Sequence, residues 1–369
     1  MVARPSDAAA PKPQPLLFTP VSFRSVKARN RIVLSPMCQY SAREGMPSDW
    51  HLVHLGTRAV GGAGWVFTEA TAVEPRGRIS PGCTGIWNDA QRDAWARIAA
   101  FIAVQGGVPG MQLAHAGRKG SALPPWGGRK PLTRDDGGWE TIAPSPLPFE
   151  PGHPVPAEMT ARTLAEVTAA FAAAARRARE AGFRAIEVHA AHGYLIHQFL
   201  SPLTNRRTDG YGGALENRAR LLLEVLDAVR QEWPATLPLF VRLSATDWVQ
   251  GGWDLPQTVA LAKLLKANRG VDLVDASSGG NDPRQQVPAA PGYQVPFAEA
   301  IRREAGIATA AVGLIRESAF AERILATGQA DLIVMGRRLL DDPYWPLRAA
   351  KALGGEHTWP IQYQRADME

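Results

Sequence analysis

The chain has 369 residues, 45% of them hydrophobic and 21% charged, with a formal net charge of +6. These proportions are ordinary for a folded protein and exclude disorder for the bulk of the chain. Two cysteines, Cys38 and Cys83, are too few for a disulfide scaffold or a four-cysteine metal centre, and no apolar run reaches the ~18–20 residues that cross a bilayer.

In chain order, residues 1–15 are rich in Ala and Pro and lack the apolar centre of a secretory signal. They are expected as a disordered lead, and a cytoplasmic location is expected. Short apolar runs then alternate with helical stretches. Residues 31–34 read as a strand and 51–61 as a helix, followed by strand 65–68, helix 90–104 and strand 110–113. Residues 117–159 hold many Pro, Gly and Trp and little periodicity, which reads as a long insertion after the third strand. The clearest helix spans 163–181. Its Thr163-Leu-Ala-Glu166 reads as a capping box, Leu164, Val167, Phe171 and Ala178 form its apolar stripe, and Gly182 sits where a C-terminal cap belongs. Strand 185–189, helix 216–232, strand 239–243, helix 255–268, strand 271–275, helix 297–304, strand 308–312, helix 317–326, strand 332–335 and helix 343–353 complete the chain.

Eight strand–helix repeats predict an α/β fold, a single (β/α)8 TIM barrel over residues 16–369. The insertion 117–159 would be lid-like over the active-site face, and 354–369 would form a C-terminal segment. An open doubly wound sheet is the competitor. It would usually show a glycine fingerprint after its first strand, where this chain has Ser35-Pro36-Met37-Cys38.

Barrel chemistry gathers at the C-terminal ends of the strands. Gly313, Gly336 and Arg337 follow strands seven and eight, where barrels often bind phosphate; ordinary strand-end turns are the alternative. His189 and His192 could bind a metal, with Glu69 as a third ligand, or could donate to a carbonyl oxygen or oxyanion. Tyr194 suits proton donation beside a polarised carbonyl. Arg242, ending an apolar strand, implies an anionic or electron-rich partner. Cys38 reads as a small buried hydrophobe or as a functional group at the first strand's end, and Cys83 as a buried hydrophobe. The basic residues are dispersed, with no long run or aromatic-interleaved patch, which argues against a nucleic-acid partner.

Four segments carry a resemblance: 28–40 (ARNRIVLSPMCQY), 110–119 (GMQLAHAGRK), 186–213 (IEVHAAHGYLIHQFLSPLTNRRTDGYGG) and 332–338 (LIVMGRR). The chain resembles the old yellow enzyme family of FMN-dependent ene-reductases, in particular its bacterial branch with a flavin-proximal cysteine. The resemblance implies bound FMN, with Ser35, Pro36, Met37 and Cys38 along the isoalloxazine and Ala70 and Gln112 on its pyrimidine side. It places Arg242 near N1 and O2, and Gly313, Gly336 and Arg337 on the phosphate. It further implies NADPH or NADH as reductant and ping-pong reduction of the C=C bond of enones, enals, maleimides and nitroalkenes by hydride from flavin N5. In that scheme His189 and His192 hold the substrate carbonyl, Tyr194 donates the proton and Tyr40 lines the substrate pocket. A homodimer or homotetramer is implied, with Arg365 reaching a neighbouring active site. No metal, nucleic acid or membrane partner is implied.

Overall fold

The computed structural model describes residues 14–366 apart from 269 and 357, so residues 1–13 of the expected lead lie outside the described residues. Eight parallel strands close a barrel in chain order. They are β1 (Ile32–Leu34), β2 (Trp65–Ala72), β3 (Val108–Ala114), β4 (Ala185–Ala190), β5 (Leu239–Ser244), β6 (Leu273–Ser277), β7 (Ala308–Ala311) and β8 (Leu332–Met335). β8 pairs back onto β1 through Ile333↔Ile32 and Met335↔Leu34. The crossover helices are α1 (Asp49–Val60), α2 (Asp89–Val104), α3 (Ala161–Glu180), α4 (Leu215–Glu232), α5 (Leu255–Asn268), α6 (Val295–Ala305), α7 (Ser318–Ala326) and α8 (Trp345–Leu353). Every residue of β2, β3, β4, β5, β6 and β8 is buried, because helices cover one face and the barrel interior fills the other.

The two-residue period of a strand decides what the interior contains. At the bottom it is aromatic: Trp65 and Phe240 lie 5.5 Å apart, and Phe23 packs edge-on against both at 5.8 and 5.2 Å. Phe23 belongs to a short antiparallel hairpin, Val21–Phe23 with Val26–Ala28, that plugs this mouth. Further along the same alternation the interior turns polar, with Gln112, Glu187, Arg242 and Asp275 buried.

Several boundaries differ from the sequence reading. β2 runs through Glu69 and Ala70 to Ala72, with a register shift between Phe67 and Ala70, so these two residues are not in a loop. β6 begins two residues late, at Leu273. The Asp272 amide still donates to the Leu239 carbonyl at 2.9 Å, while its carboxylate accepts from Arg24 at 2.7 Å and from the Leu239 amide at 2.9 Å. The strand runs on through Ser277, which pairs with Ser244. The cap of α3 is Thr160, not Thr163. The Thr163 hydroxyl accepts from the Thr160 amide at 2.8 Å and the Thr160 hydroxyl from the Thr163 amide at 3.3 Å. Glu166 instead pairs with Arg162 one turn back, at 2.8 Å.

Between β3 and α3, residues 115–160 form two 3-10 turns, Gly117–Lys119 and Pro125–Gly127. They also form a two-residue parallel pair, Ile142–Ala143 with Ala157–Glu158. The segment is pinned at Trp139. Its indole donates to the Arg76 carbonyl at 2.9 Å, and the Arg78 guanidinium sits 4.9 Å over its ring.

Candidate active site

The C-terminal ends of β1 to β5 open on a cleft of about 280 Å³ lined by Pro36, Cys38, Tyr40, Ala70, Gln112, Pro125, Arg129, His189, His192, Tyr194 and Arg242. Six segments far apart in sequence converge here, as expected at this end of a parallel barrel. Beyond it, the ends of β6, β7 and β8 open on a second cleft of about 180 Å³ that includes Ser277, Gln294, Gly313, Gly336 and Arg337. Ser35 and Met37 bridge the two. The Ser35 amide continues the ladder to the Met335 carbonyl at 3.0 Å, and Met37 Sδ lies 3.4 Å from where a Cβ on Gly336 would sit. Thus all the sequence-predicted flavin-site residues fall on these two neighbouring clefts or on the segment between them.

Below the first cleft lies the polar layer. Arg242 donates to the Ser35 hydroxyl at 3.2 Å, and its Nε lies 3.2 Å from Asp275, off the hydrogen-bond axis. Gln112 donates to Glu187 at 2.7 Å. Burial, with Asp275 close by, pushes the Glu187 carboxyl up to about 8, and burial raises Asp275 as well. The layer therefore carries less negative charge than its two carboxyl groups suggest, and Arg242 keeps positive potential directed at the cleft.

His189, His192 and Tyr194 stand together at the end of β4. The His189 ring centroid is 5.1 Å from those of both His192 and Tyr194. His189 shares the inward face with Glu187. His192 sits in the left-handed region at φ 58°, followed by Gly193 at 71°. The bend packs against Gly280 and Asn281. A Cβ on Gly193 would lie 2.2 Å from the Gly280 carbonyl oxygen, so glycine is required there. The His192 amide donates to Ser244 at 2.9 Å, and its Nε2 lies 2.6 Å from the Ser277 hydroxyl. His189 Nδ1 is buried with no hydrogen-bond partner. Burial first, then the Arg242 charge, holds both imidazoles well below the usual histidine range. Both are neutral at physiological pH. Burial, with Cys38 and Tyr40 nearby, holds the Tyr194 phenol well above its usual range. Its proton is therefore retained until something basic approaches.

Lys119 is the residue that sequence reasoning missed. It lies inside the 110–119 segment but carried no assigned role. Its ammonium donates to the carbonyls of His192 at 2.8 Å and Gly280 at 2.7 Å. It also sits 5.0 Å over the Tyr194 ring. Burial, then the charges of Arg129 and Arg118, brings it down to about 7. Glu187, Asp275 and Ser277 were likewise unassigned. Tyr40 adopts φ 52° and meets Trp126 edge-on at 5.5 Å, so the 115–160 segment forms one wall of the cleft. Cys38 is half-buried, and its thiol is pushed up by neighbouring Cys83 and by burial. Arg365, within the 3-10 turn Ile361–Ala366, is exposed and lines neither cleft.

An elongated polar pocket with an electropositive floor, neutral donors at one side and a glycine-lined end fits a flat heteroaromatic cofactor bearing a phosphate. The orphaned His189 nitrogen and the Arg242 guanidinium both point to a ligand completing the site. Together these features define the class: a flavin-dependent oxidoreductase on a (β/α)8 barrel.

Residues 16–356 match the NADH:flavin oxidoreductase / NADH oxidase family, and the chain belongs to that family. It is 49% identical to an NADPH dehydrogenase of Geobacillus sp. (strain WCH70) over 352 residues, 95% of this chain and 98% of the relative. It is 46% identical to an NADPH dehydrogenase of Bacillus subtilis (strain 168) over 351 residues, with the same coverage. Among solved structures, morphinone reductase in complex with tetrahydroNAD is similar with a TM-score of 0.76 and 30% identity, covering 94% of this chain and 93% of that one. The old yellow enzyme homologue from Zymomonas mobilis has a TM-score of 0.76 and 27% identity, covering 94% and 96%. The protein is an FMN-dependent NADPH dehydrogenase of the old yellow enzyme type. Among the described residues no helix is long and apolar enough to cross a membrane.

Proposed function

We propose that the enzyme reduces the C=C bond of α,β-unsaturated carbonyl compounds and nitroalkenes, with His189, His192 and Tyr194 acting on the substrate. The observation that carries this reading is the His189 ring 5.1 Å from both His192 and Tyr194, all three held in their neutral forms around one cleft. FMN, when bound, supplies the two-electron chemistry that links the nicotinamide to the alkene. Ser35, Pro36, Met37, Cys38, Ala70 and Gln112 would line its ring, Arg242 would favour negative charge on it, and Gly313, Gly336 and Arg337 would hold its phosphate.

A neutral imidazole has one N–H to give. His189 and His192 each donate one hydrogen bond to the substrate's carbonyl or nitro oxygen and stabilise the charge that develops there. Donors of this kind contribute roughly 10²–10³-fold each to rate. His192 exchanges its Ser277 contact for the substrate. Tyr194 delivers its phenol proton to the α-carbon. Tyr40 and Trp126 shape the approach, residues 117–159 act as a lid, and the Cys38 thiol tunes the flavin's potential. Arg365 enters the cleft of a neighbouring copy in a homo-oligomer, and the protein works in the cytoplasm.

The test is anaerobic. NADPH, and separately NADH, is added to the yellow protein until the flavin bleaches. A cyclic enone, a maleimide or a nitroalkene is then added. Return of the colour with formation of the saturated product is expected. A flavin that bleaches but is not reoxidised by any activated alkene would overturn the reading.

A further inference from the structure

Cys38, Glu69 and Cys83 meet beside the cleft, and the function proposed above uses only the first of them. The two sulfurs and a Glu69 carboxylate oxygen all lie within 4.8 Å of one another. They come from three separate pieces of chain: the end of β1, the irregular part of β2, and the loop before α2. Backbone contact holds the first and third together. The Ala42 amide donates to the Gly82 carbonyl at 2.9 Å, and a Cβ on Gly82 would lie 2.5 Å from the Tyr40 carbonyl oxygen. Cys83 is therefore pressed toward Cys38 by a turn that only glycine permits.

Glu69 is oriented in the manner of a metal-binding carboxylate. The Ser48 amide donates to His51 Nδ1 at 2.9 Å, which places the ring proton on Nε2. That Nε2 donates to Glu69 Oε1 at 3.1 Å, and the Gln39 amide donates to Oε2 at 3.3 Å. Both side chains are buried. The Thr84 amide adds a third donor. A carboxylate offers about four acceptor directions, so one remains. Cys83 Sγ accepts from the Ser80 amide at 3.4 Å, which fixes the direction in which the sulfur points.

We propose that Cys38, Cys83 and Glu69 form a site for a thiophilic divalent cation, Zn²⁺ or a close chemical relative. Two sulfurs and one oxygen select such ions over Mg²⁺ or Ca²⁺, which take oxygen alone. A tetrahedral Zn²⁺ bonded at ~2.3 Å to sulfur and ~2.1 Å to oxygen holds its ligands roughly 3.6–3.8 Å apart, so these three close in by about 1 Å at most. Cys38 is the half-buried member and lines the cleft, which gives an ion its way in. Binding displaces the thiol protons to solvent, so occupancy rises with pH. An ion here draws the Cys38 sulfur away from the cleft and places a charge at its rim, making the site inhibitory and reversible.

The FMN-loaded enzyme, kept reduced at its thiols by a phosphine, is titrated with Co²⁺. Tetrahedral sulfur-ligated cobalt absorbs in the red, beyond the flavin's own bands, and saturation at one cobalt per chain is expected. Zn²⁺ should displace the cobalt and suppress NADPH turnover, and a chelator should restore it. Cys83→Ser, with Cys83→Ala as a second variant, should lose the cobalt spectrum and the zinc sensitivity. Both variants should retain flavin and metal-free turnover close to wild type. Absence of the tetrahedral spectrum in the wild type would overturn the proposal. So would a spectrum or zinc inhibition that survives in both Cys83 variants, since the ion would then sit elsewhere, for example on His189 and His192. The cobalt signal is independent of which alkene the enzyme reduces.

Discussion

Lys119 grips both sides of the turn that carries His192: its ammonium donates to the His192 carbonyl at 2.8 Å and to the Gly280 carbonyl at 2.7 Å. The same ammonium lies over the Tyr194 ring. One largely enclosed cation thus fixes the proposed substrate donor His192 and stands beside the proposed proton donor Tyr194. Lys119→Met keeps the stem and removes three donors. It takes this donor from two part-buried carbonyls, each a loss of up to about 1 kcal/mol. Alkene turnover should fall by about 10-fold or more, while bleaching of the flavin by NADPH changes little. Separate measurement of the two half-reactions checks this.

The same residue makes a stability prediction with a definite sign. Burial lowers Lys119 from the ordinary lysine value to about 7 in the folded protein. Between about pH 7 and about 10 the unfolded chain therefore binds more protons at this site, and folding stability rises with pH there. Wild-type Tm relative to Lys119→Met should increase across that window and be level below it. A difference that falls with rising pH would contradict the burial of this charge.

Activity should show no acid limb at the ordinary histidine pKa. His189 and His192 are both held well below it by burial and by Arg242. Their folded pKa values are depressed, so they stay neutral as pH falls through ~6.5. In Lys119→Met, which removes the neighbouring group that titrates at about 7, kcat/KM for an enone should be flat from about pH 8 to about pH 6. Arg242→Gln, which removes the second cause of the shift, should bring an acid limb upward in any variant that still holds flavin.

The barrel was legible because its strands are buried on both faces and so read as continuous apolar runs, as in LIVM at 332–335. The N-terminal hairpin was not, since strands of three residues have no periodicity to detect. The residues at strand ends were found because barrel chemistry concentrates there. Glu187 and Asp275 were passed over because they sit inside strands; only the two-residue alternation with His189 and Ser277 reveals that they face inward. Lys119 escaped because its partners are backbone carbonyls far away in the chain, which no side-chain pattern records. The cap at Thr160 lost to Thr163 in the sequence because both fit the local rule, and only the reciprocal hydrogen bonds separate them.

Tyr194→Phe separates proton delivery from carbonyl binding. The half-buried Tyr194 ring lies beside His189, and no part of the proposed carbonyl contact depends on its phenol. Removing a positioned general acid reduces the rate by roughly 10²–10⁴-fold. Alkene reduction should fall by that order with KM little changed, and flavin reduction by NADPH should continue. In deuterated solvent the residual product should lose stereochemical control at the α-carbon. Undiminished reduction would remove Tyr194 from the role.

Arg365 offers the sharpest test of assembly. Within its own chain it is exposed and lines neither cleft, so any effect on substrate has to cross between copies. The segment that carries it is anchored by aromatic contacts: Trp359 stacks on Tyr344 at 6.1 Å, and Tyr363 meets the same ring edge-on. That anchor keeps the arginine at a defined place on the surface. Arg365→Ala should therefore raise KM for the alkene without changing the oligomer, whereas truncation before Trp359 should do both. Sedimentation and steady-state kinetics on the two variants give the answer. Unchanged KM in both would leave the C-terminal segment without a part in catalysis.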